Sequence, residues 1–336
     1  MSLSVAGDRI AFRCDGDEQI GAGHVARCLP LAQAFAELGW TVDFVGAYRG
    51  LAAWLLARGA IHTRAPSPEF PCGISPEYYD AVVLDSYSIA PASICDLGRT
   101  LPLATIAEAN RCLTCGVLLD YHLDRVERPS AGLLAGPSFA PLDPAIAGAG
   151  RPGEQIRKVL VTVGGSAAAR PLLRPIARIV SSTFPQAAIV IAGTEESETK
   201  EKNPPRVSYL PWPSALADVL GDIDLAITAA GLTAYELACA GIPQVAIAIA
   251  TNQRRVAKGL NSSDLALTLD LTSGDSLARL SDALERLRDA GLRRLLAERG
   301  RKMFDGQGAR RAARALTELY LDCAKESLYA RKRSDS

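Results

Sequence analysis

Short apolar runs alternate with longer amphipathic stretches along most of the chain. Residues 10–15 form the first run, and a polar loop with three glycines follows it. Beyond the loop, apolar positions recur with helical spacing to Leu38, and Gly39 provides a stop. Residues 40–46 read as a second strand and 51–58 as a helix ending at Gly59. A short third strand falls near Ile61. A proline-rich loop spans 66–76. Residues 79–85 then make a continuous apolar run closed by an acid, the pattern of a strand buried on both faces. A helix from Pro91 and strands at 101–106 and 116–120 complete the first half. Strands separated by helices predict a parallel sheet covered on both sides.

The alternation then repeats. Strands are expected at 158–163, 187–192, 207–210, 224–228 and 243–249, and helices at 171–181, 213–220, 234–240 and after Gln253. Residues 276–330 read mostly as amphipathic helix. Residues 133–153 are rich in proline and small residues, which marks a boundary. The expected organisation is α/β, with two doubly wound Rossmann-like domains. They cover 1–145 and 157–336, the latter including the C-terminal helices, with a linker at 146–156. Sheets of this type bind ligands beyond the carboxyl ends of their strands, so two such domains predict an inter-domain cleft. Pro30 interrupts the first helical pattern. Either that helix starts late, near Arg27, or it kinks.

Composition narrows the function. Lys plus Arg and Asp plus Glu number 37 each, so no basic surplus favours nucleic acid. The basic end, Ala330-Arg-Lys-Arg-Ser-Asp-Ser336, reads as a solvated, frayed terminus. No apolar run reaches membrane-spanning length and no signal pattern opens the chain, so membrane insertion is not expected and the cytoplasm is. The eight cysteines are scattered, several within apolar segments, as reduced thiols used for packing. Cys112 and Cys115 have metal or redox spacing, but no second pair and no nearby histidine other than His122 could complete a site, so no metal is expected.

Candidate chemistry gathers in loops just after strands. Gly21-Ala-Gly-His24 follows the first strand and opens a helix, where free N–H groups meet a potential base. Asp85, Ser86 and Tyr87 follow a central strand. Asp15, Asp17 and Glu18 could orient His24 or keep its loop soluble. In the second half, Gly164-Gly165-Ser166 could cradle phosphate. Gly231 and Thr233 sit at a helix N-terminus suited to phosphate. Glu236 lies three residues on from Thr233, on the same face, where a carboxylate can accept hydrogen bonds from a ribose diol. Asn252 and Gln253 follow another strand. His62 and His122 lack a glycine loop and read as structural. The second strand ends at Gly46 with no acid, which disfavours a nicotinamide cofactor.

Six segments occur in a family order: Ile20-Gly-Ala-Gly-His-Val-Ala-Arg-Cys-Leu29, Asp85-Ser-Tyr87, Leu134-Ala-Gly-Pro-Ser-Phe-Ala-Pro-Leu142, Val161-Thr-Val-Gly-Gly-Ser166, Tyr235-Glu-Leu237 with Gly241-Ile-Pro243, and Asn252-Gln253. In these the chain resembles the UDP-sugar hydrolases of pseudaminic acid biosynthesis, the PseG or SpsG type. The resemblance runs from about residue 10 to 260. It implies the GT-B architecture, related in its second domain to MurG. It also implies hydrolysis of a UDP-linked diacetamido-trideoxy sugar by inverting attack of water, without metal or cofactor. By resemblance, His24 would activate water, and Tyr87 and Asn252 would bind the sugar or align the water. Glu236 would hold the uridine ribose, with Gly165, Ser166 and Thr233 near the diphosphate. Gly21, Gly23, Asp15, Asp85, Gly231 and Gln253 complete the substrate-binding set. The chain departs from the family pattern at Ser86, at Glu108, at Ala230-Gly-Leu232 and at Asp120-Tyr-His122. An inverting glycosyltransferase on the same fold, or a hydrolase of another nucleotide sugar, is the alternative.

Overall fold

The computed structural model describes residues 7–106, 116–125, 132–164, 167–193, 206–210 and 216–334. Seven strands form one parallel sheet: β1 (Arg9–Cys14), β2 (Thr41–Val45), β3 (His62–Arg64), β4 (Ala81–Asp85), β5 (Leu103–Ile106), β6 (Val117–Asp120) and β7 (Leu133–Ala135). Their order is β3-β2-β1-β4-β5-β6-β7. Six strands form the other: β8 (Lys158–Thr162), β9 (Ala188–Ala192), β10 (Val207–Tyr209), β11 (Leu225–Ala229), β12 (Gln244–Ala248) and β13 (Leu267–Asp270), ordered β10-β9-β8-β11-β12-β13. Every pairing is parallel. In each sheet the strand order reverses beside the first strand, β1 or β8, which opens a crevice at its carboxyl end.

The helices are α1 (Gly23–Glu37), α2 (Gly50–Arg58), α3 (Pro91–Gly98), α4 (Leu173–Thr183), α5 (Leu232–Ala240), α6 (Arg254–Ser262), α7 (Leu280–Arg286), α8 (Ala290–Met303) and α9 (Gly308–Ser334). They cover the sheets and leave the strands buried. All five residues of β4, β11 and β12 are buried, which explains why those segments read as continuous apolar runs. Gly241 ends α5 at φ +76°, a conformation that strains any residue with a Cβ.

The last helix crosses back to the first sheet. In α9, Thr317 Oγ1 accepts a hydrogen bond from Trp40 Nε1 at 3.1 Å, and the Tyr320 ring stacks 6.5 Å from Phe35 of α1. Arg310 and Glu37 form a two-pronged pair at 2.8 and 2.9 Å. Helical backbone continues to Ser334, so most of the basic end is helix and not a frayed terminus.

Several local expectations change. α1 begins at Gly23, ahead of Arg27, and carries Pro30 in its interior. Pro30 cannot donate to the carbonyl of Ala26, and both residues line a cleft where that carbonyl need not be sealed. The helix expected at 213–220 is replaced over its described part by 3-10 turns at Leu216–Asp218 and Leu220–Asp222. Gly221 and two aspartates are poor residues for a helix interior. Strands β7 and β13 were not legible in the pattern; β7 has only three residues. Cys112, Cys115, Glu108 and the charged stretch 195–202 lie outside the described residues. Among the described residues, no helix is long and apolar enough to cross a membrane.

Candidate active site in the cleft between the sheets

His24 is the second residue of α1, just past its N-cap, Ala22. The loop turns through Gly21 at φ +81°, and Asp17 shapes it by accepting the backbone N–H groups of Gln19 and Ile20 at 2.8 and 2.7 Å. His24 is buried, and its Nδ1 lies 2.8 Å from Oδ1 of Asp85, the last residue of β4. Arg27 is one turn further along α1 and so shares the face of His24. It grips the same carboxylate with two prongs, Nε to Oδ2 at 2.5 Å and Nη2 to Oδ1 at 2.7 Å. Arg27 Nη2 also lies 2.8 Å from His24 Nδ1.

Burial pushes the Asp85 carboxyl up, but Arg27 and His24 overcome it and hold the group at about 2. An ionised Asp85 accepts the Nδ1–H of His24, which leaves the Nε2 lone pair for a ligand. Tyr87 is exposed beside the ring, its centroid 4.6 Å away at an edge-on angle of 66°. This arrangement can take a proton from a nucleophile and keep the imidazole in one tautomer and orientation.

A cleft of about 970 Å³ runs between the carboxyl ends of the two sheets. From the first sheet it is lined by Gly21, Gly23, His24 and Tyr87. From the second it is lined by Gly164, Gly231, Thr233, Glu236, Asn252 and Gln253. Gly231 is the N-cap of α5 and supplies no capping side chain, so the helix start presents backbone and its dipole to the cleft. Space around Gly231 and Gly164 is open where a Cβ would stand. Glu236, one turn into α5, is half-buried. Desolvation pushes its carboxyl up to about 7, opposed by a hydrogen bond from Thr233 and reinforced by Asp143. Gln253 is anchored, its Oε1 accepting the Ile249 N–H at 2.9 Å.

Two sequence candidates, Asp15 and Asp85, do not line the cleft. Asp15 pairs with Arg13 at 2.9 Å and accepts the Ala47 N–H at 3.0 Å, so it braces the loop after β2 and does not line the cleft. Asp85 lies behind His24, its oxygens taken by His24 and Arg27. Gly165 and Ser166 lie outside the described residues, although their neighbour Gly164 lines the cleft. The reading of Asp15, Asp17 and Glu18 as orienting groups for His24 gives way to Asp85, which contacts the ring directly.

Sequence reasoning overlooked Arg27 and Arg255, read His122 as structural, and met Asp120 and His122 only as a departure from the family pattern. Arg27 was signalled by its three-residue spacing from His24 on one helix. Asp120 closes an apolar strand as Asp85 does, and His122 follows two residues later. His122 lines the cleft, and its Nδ1 lies 2.7 Å from Asp120 Oδ1.

No protein-family model and no curated protein matches the chain. Solved structures do. The glycotransferase of kitacinnamycin superposes with a TM-score of 0.66 at 16% identity, covering 93% of this chain and 99% of that one. MurG of Acinetobacter baumannii gives 0.62 at 18% identity, covering 93% and 100%. The glycosyltransferase VinC, solved in complex with dTDP, gives 0.61 at 13% identity, covering 94% and 100%. With its two parallel α/β sheets, the chain has the GT-B fold. At these identities the likeness is one of fold.

Proposed function

We propose that the protein cleaves the glycosyl C–O bond of a nucleotide sugar, with His24 as general base, and that it acts as a UDP-sugar hydrolase. The observation that carries this reading is His24, fixed by Asp85 at the mouth of a helix and facing a cleft whose other wall offers a bare helix start and a carboxylate.

The uridine ribose would hydrogen-bond to Glu236, and the diphosphate would rest on the N-terminus of α5 at Gly231 and Thr233 and on the loop 164–166. The anomeric carbon then faces His24 from the opposite wall. Water attacks that carbon while Nε2 takes its proton. The bond from the carbon to the diphosphate oxygen breaks, and its electron pair leaves with UDP. Attack opposite the leaving group inverts the anomeric centre. Tyr87 and Asn252 would hold the sugar and align the water. The motif resemblance supports a UDP-linked diacetamido-trideoxy sugar, as used in nonulosonate biosynthesis. No step calls on a metal or cofactor.

Incubation with a panel of UDP-sugars, with and without alcohol acceptors, tests the reading. UDP release in acceptor-free buffer, with a free reducing sugar of inverted configuration, is expected. Release only in the presence of an acceptor would replace the hydrolase with an inverting glycosyltransferase. Binding of UDP with no turnover under either condition would remove the catalytic reading.

A further inference from the structure

The cleft holds a second histidine built like the first. Asp120 ends β6 as Asp85 ends β4, and each carboxylate holds a histidine by Nδ1 and an arginine by its guanidinium. At the second site His122 Nδ1 is 2.7 Å from Asp120 Oδ1, while Arg255 Nη2 and Arg125 Nε reach Oδ2 at 3.1 and 2.6 Å. Arg255 Nη1 lies 3.2 Å from His122 Nδ1, matching the close approach of Arg27 to His24. Arg255 comes from α6, on the nucleotide side of the cleft, and also pairs with Asp124 at 2.7 Å. Two guanidiniums and the imidazole hold the Asp120 carboxyl below the usual carboxylate range against its burial.

An ionised Asp120 accepts the Nδ1–H of His122 and leaves Nε2 as an acceptor. Among the described residues neither His24 nor His122 has a partner on Nε2, yet neither nitrogen is sealed from the cleft. His122 is fixed against Tyr121, the two rings stacked at 5.2 Å and nearly parallel at 8°. A ring held this rigidly loses little freedom when it meets a ligand. β4 and β6 are separated by β5, so the two sites stand two strand spacings apart, about 10 Å along the sheet edge. That separation suits a glycosyl ring held with its anomeric carbon at one histidine and a ring substituent at the other.

We propose that His122 is a specificity-determining residue, its Nε2 accepting a hydrogen bond from a hydroxyl or amide N–H on the part of the glycosyl group remote from the anomeric carbon. Asp120 sets the tautomer, and Arg255 makes the arrangement depend on the nucleotide side being in place. The inference rests on the nucleotide-sugar reading of the cleft. A site that hydrogen-bonds a substituent discriminates strongly against analogues lacking it, because its buried partner is then left unpaired.

The test uses two substitutions with opposite geometry. His122→Asn keeps a donor for Asp120 and removes the nitrogen at the Nε2 position, whereas His122→Gln keeps a polar group at that position. Dissociation constants for UDP, and for the UDP-sugar that wild type binds best in a panel, are measured by calorimetry on both variants. UDP affinity is expected to stay within about twofold of wild type. UDP-sugar affinity is expected to fall about tenfold or more in His122→Asn, with partial recovery in His122→Gln. Unchanged UDP-sugar binding in His122→Asn overturns the inference and leaves the nucleotide-sugar reading intact. A parallel loss of UDP and UDP-sugar affinity overturns it in favour of a purely structural role. Wild type that binds neither UDP nor any UDP-sugar removes the parent reading, and this one with it.

Discussion

His24 Nδ1 and Asp85 Oδ1 lie 2.8 Å apart, joining the start of α1 to the end of β4. The contact depends on adjacent β1 and β4 placing loop and acid side by side, since the two residues are distant in sequence. Asp85→Asn keeps the shape but removes the charge that fixes the imidazole. Turnover is expected to fall about 10²–10⁴-fold while UDP affinity changes little. Steady-state kinetics and calorimetry on the same preparation check both halves. Retained turnover would show that Asp85 does not set the base.

The same carboxylate shapes acid stability. Its folded-state pKa, about 2, lies below the unfolded value. Its contribution is therefore complete above the ordinary carboxylate range and is lost as pH falls toward 2. Urea unfolding between pH 6 and pH 3 should show a declining stability, of which about 2 kcal/mol at most belongs to this group. Asp85→Asn should flatten that part of the profile.

Glu236 behaves in the opposite sense. Its carboxyl is pushed up to about 7, so the folded protein favours the neutral form. Stability falls as pH rises from the unfolded pKa through 7. Ribose recognition by the carboxylate would need the ionised form, so UDP affinity should strengthen about tenfold between pH 6 and pH 8. Glu236→Gln should bind UDP more weakly and lose most of that pH dependence. Calorimetric titrations of both proteins across this range provide the check.

The return of α9 to the first sheet has a stability consequence. Thr317→Val leaves the Trp40 N–H without its acceptor in a buried site. A loss of about 1–3 kcal/mol is expected, read as a lower urea midpoint with the slope unchanged. No change would mean that α9 contributes little to the first sheet.

Much of this architecture was legible because buried parallel strands leave continuous apolar runs, as in β4, β11 and β12. The strand-end rule places His24, Tyr87, Glu236 and Asn252 near one cleft, and all four line it. What stayed hidden was pairing across distance. Nothing local in Asp85 says that its oxygens face α1 and not a ligand, and nothing in Thr317 says that it meets Trp40. His122 reads as structural in the sequence because its loop lacks glycine, whereas its position depends on Asp120 and on Arg255 from the other side of the cleft. Pro30 misled in the other direction: the helix runs through it, and Pro30 lines the cleft together with Ala26, to whose carbonyl it cannot donate.

The account turns on His24. Its most direct test is UDP release from a UDP-sugar by wild type and His24→Ala, with UDP binding measured on both. Wild type is expected to release UDP without an acceptor. The variant is expected to lose at least about 10²-fold in turnover while binding UDP as wild type does. A His24→Ala protein as active as wild type would contradict the account.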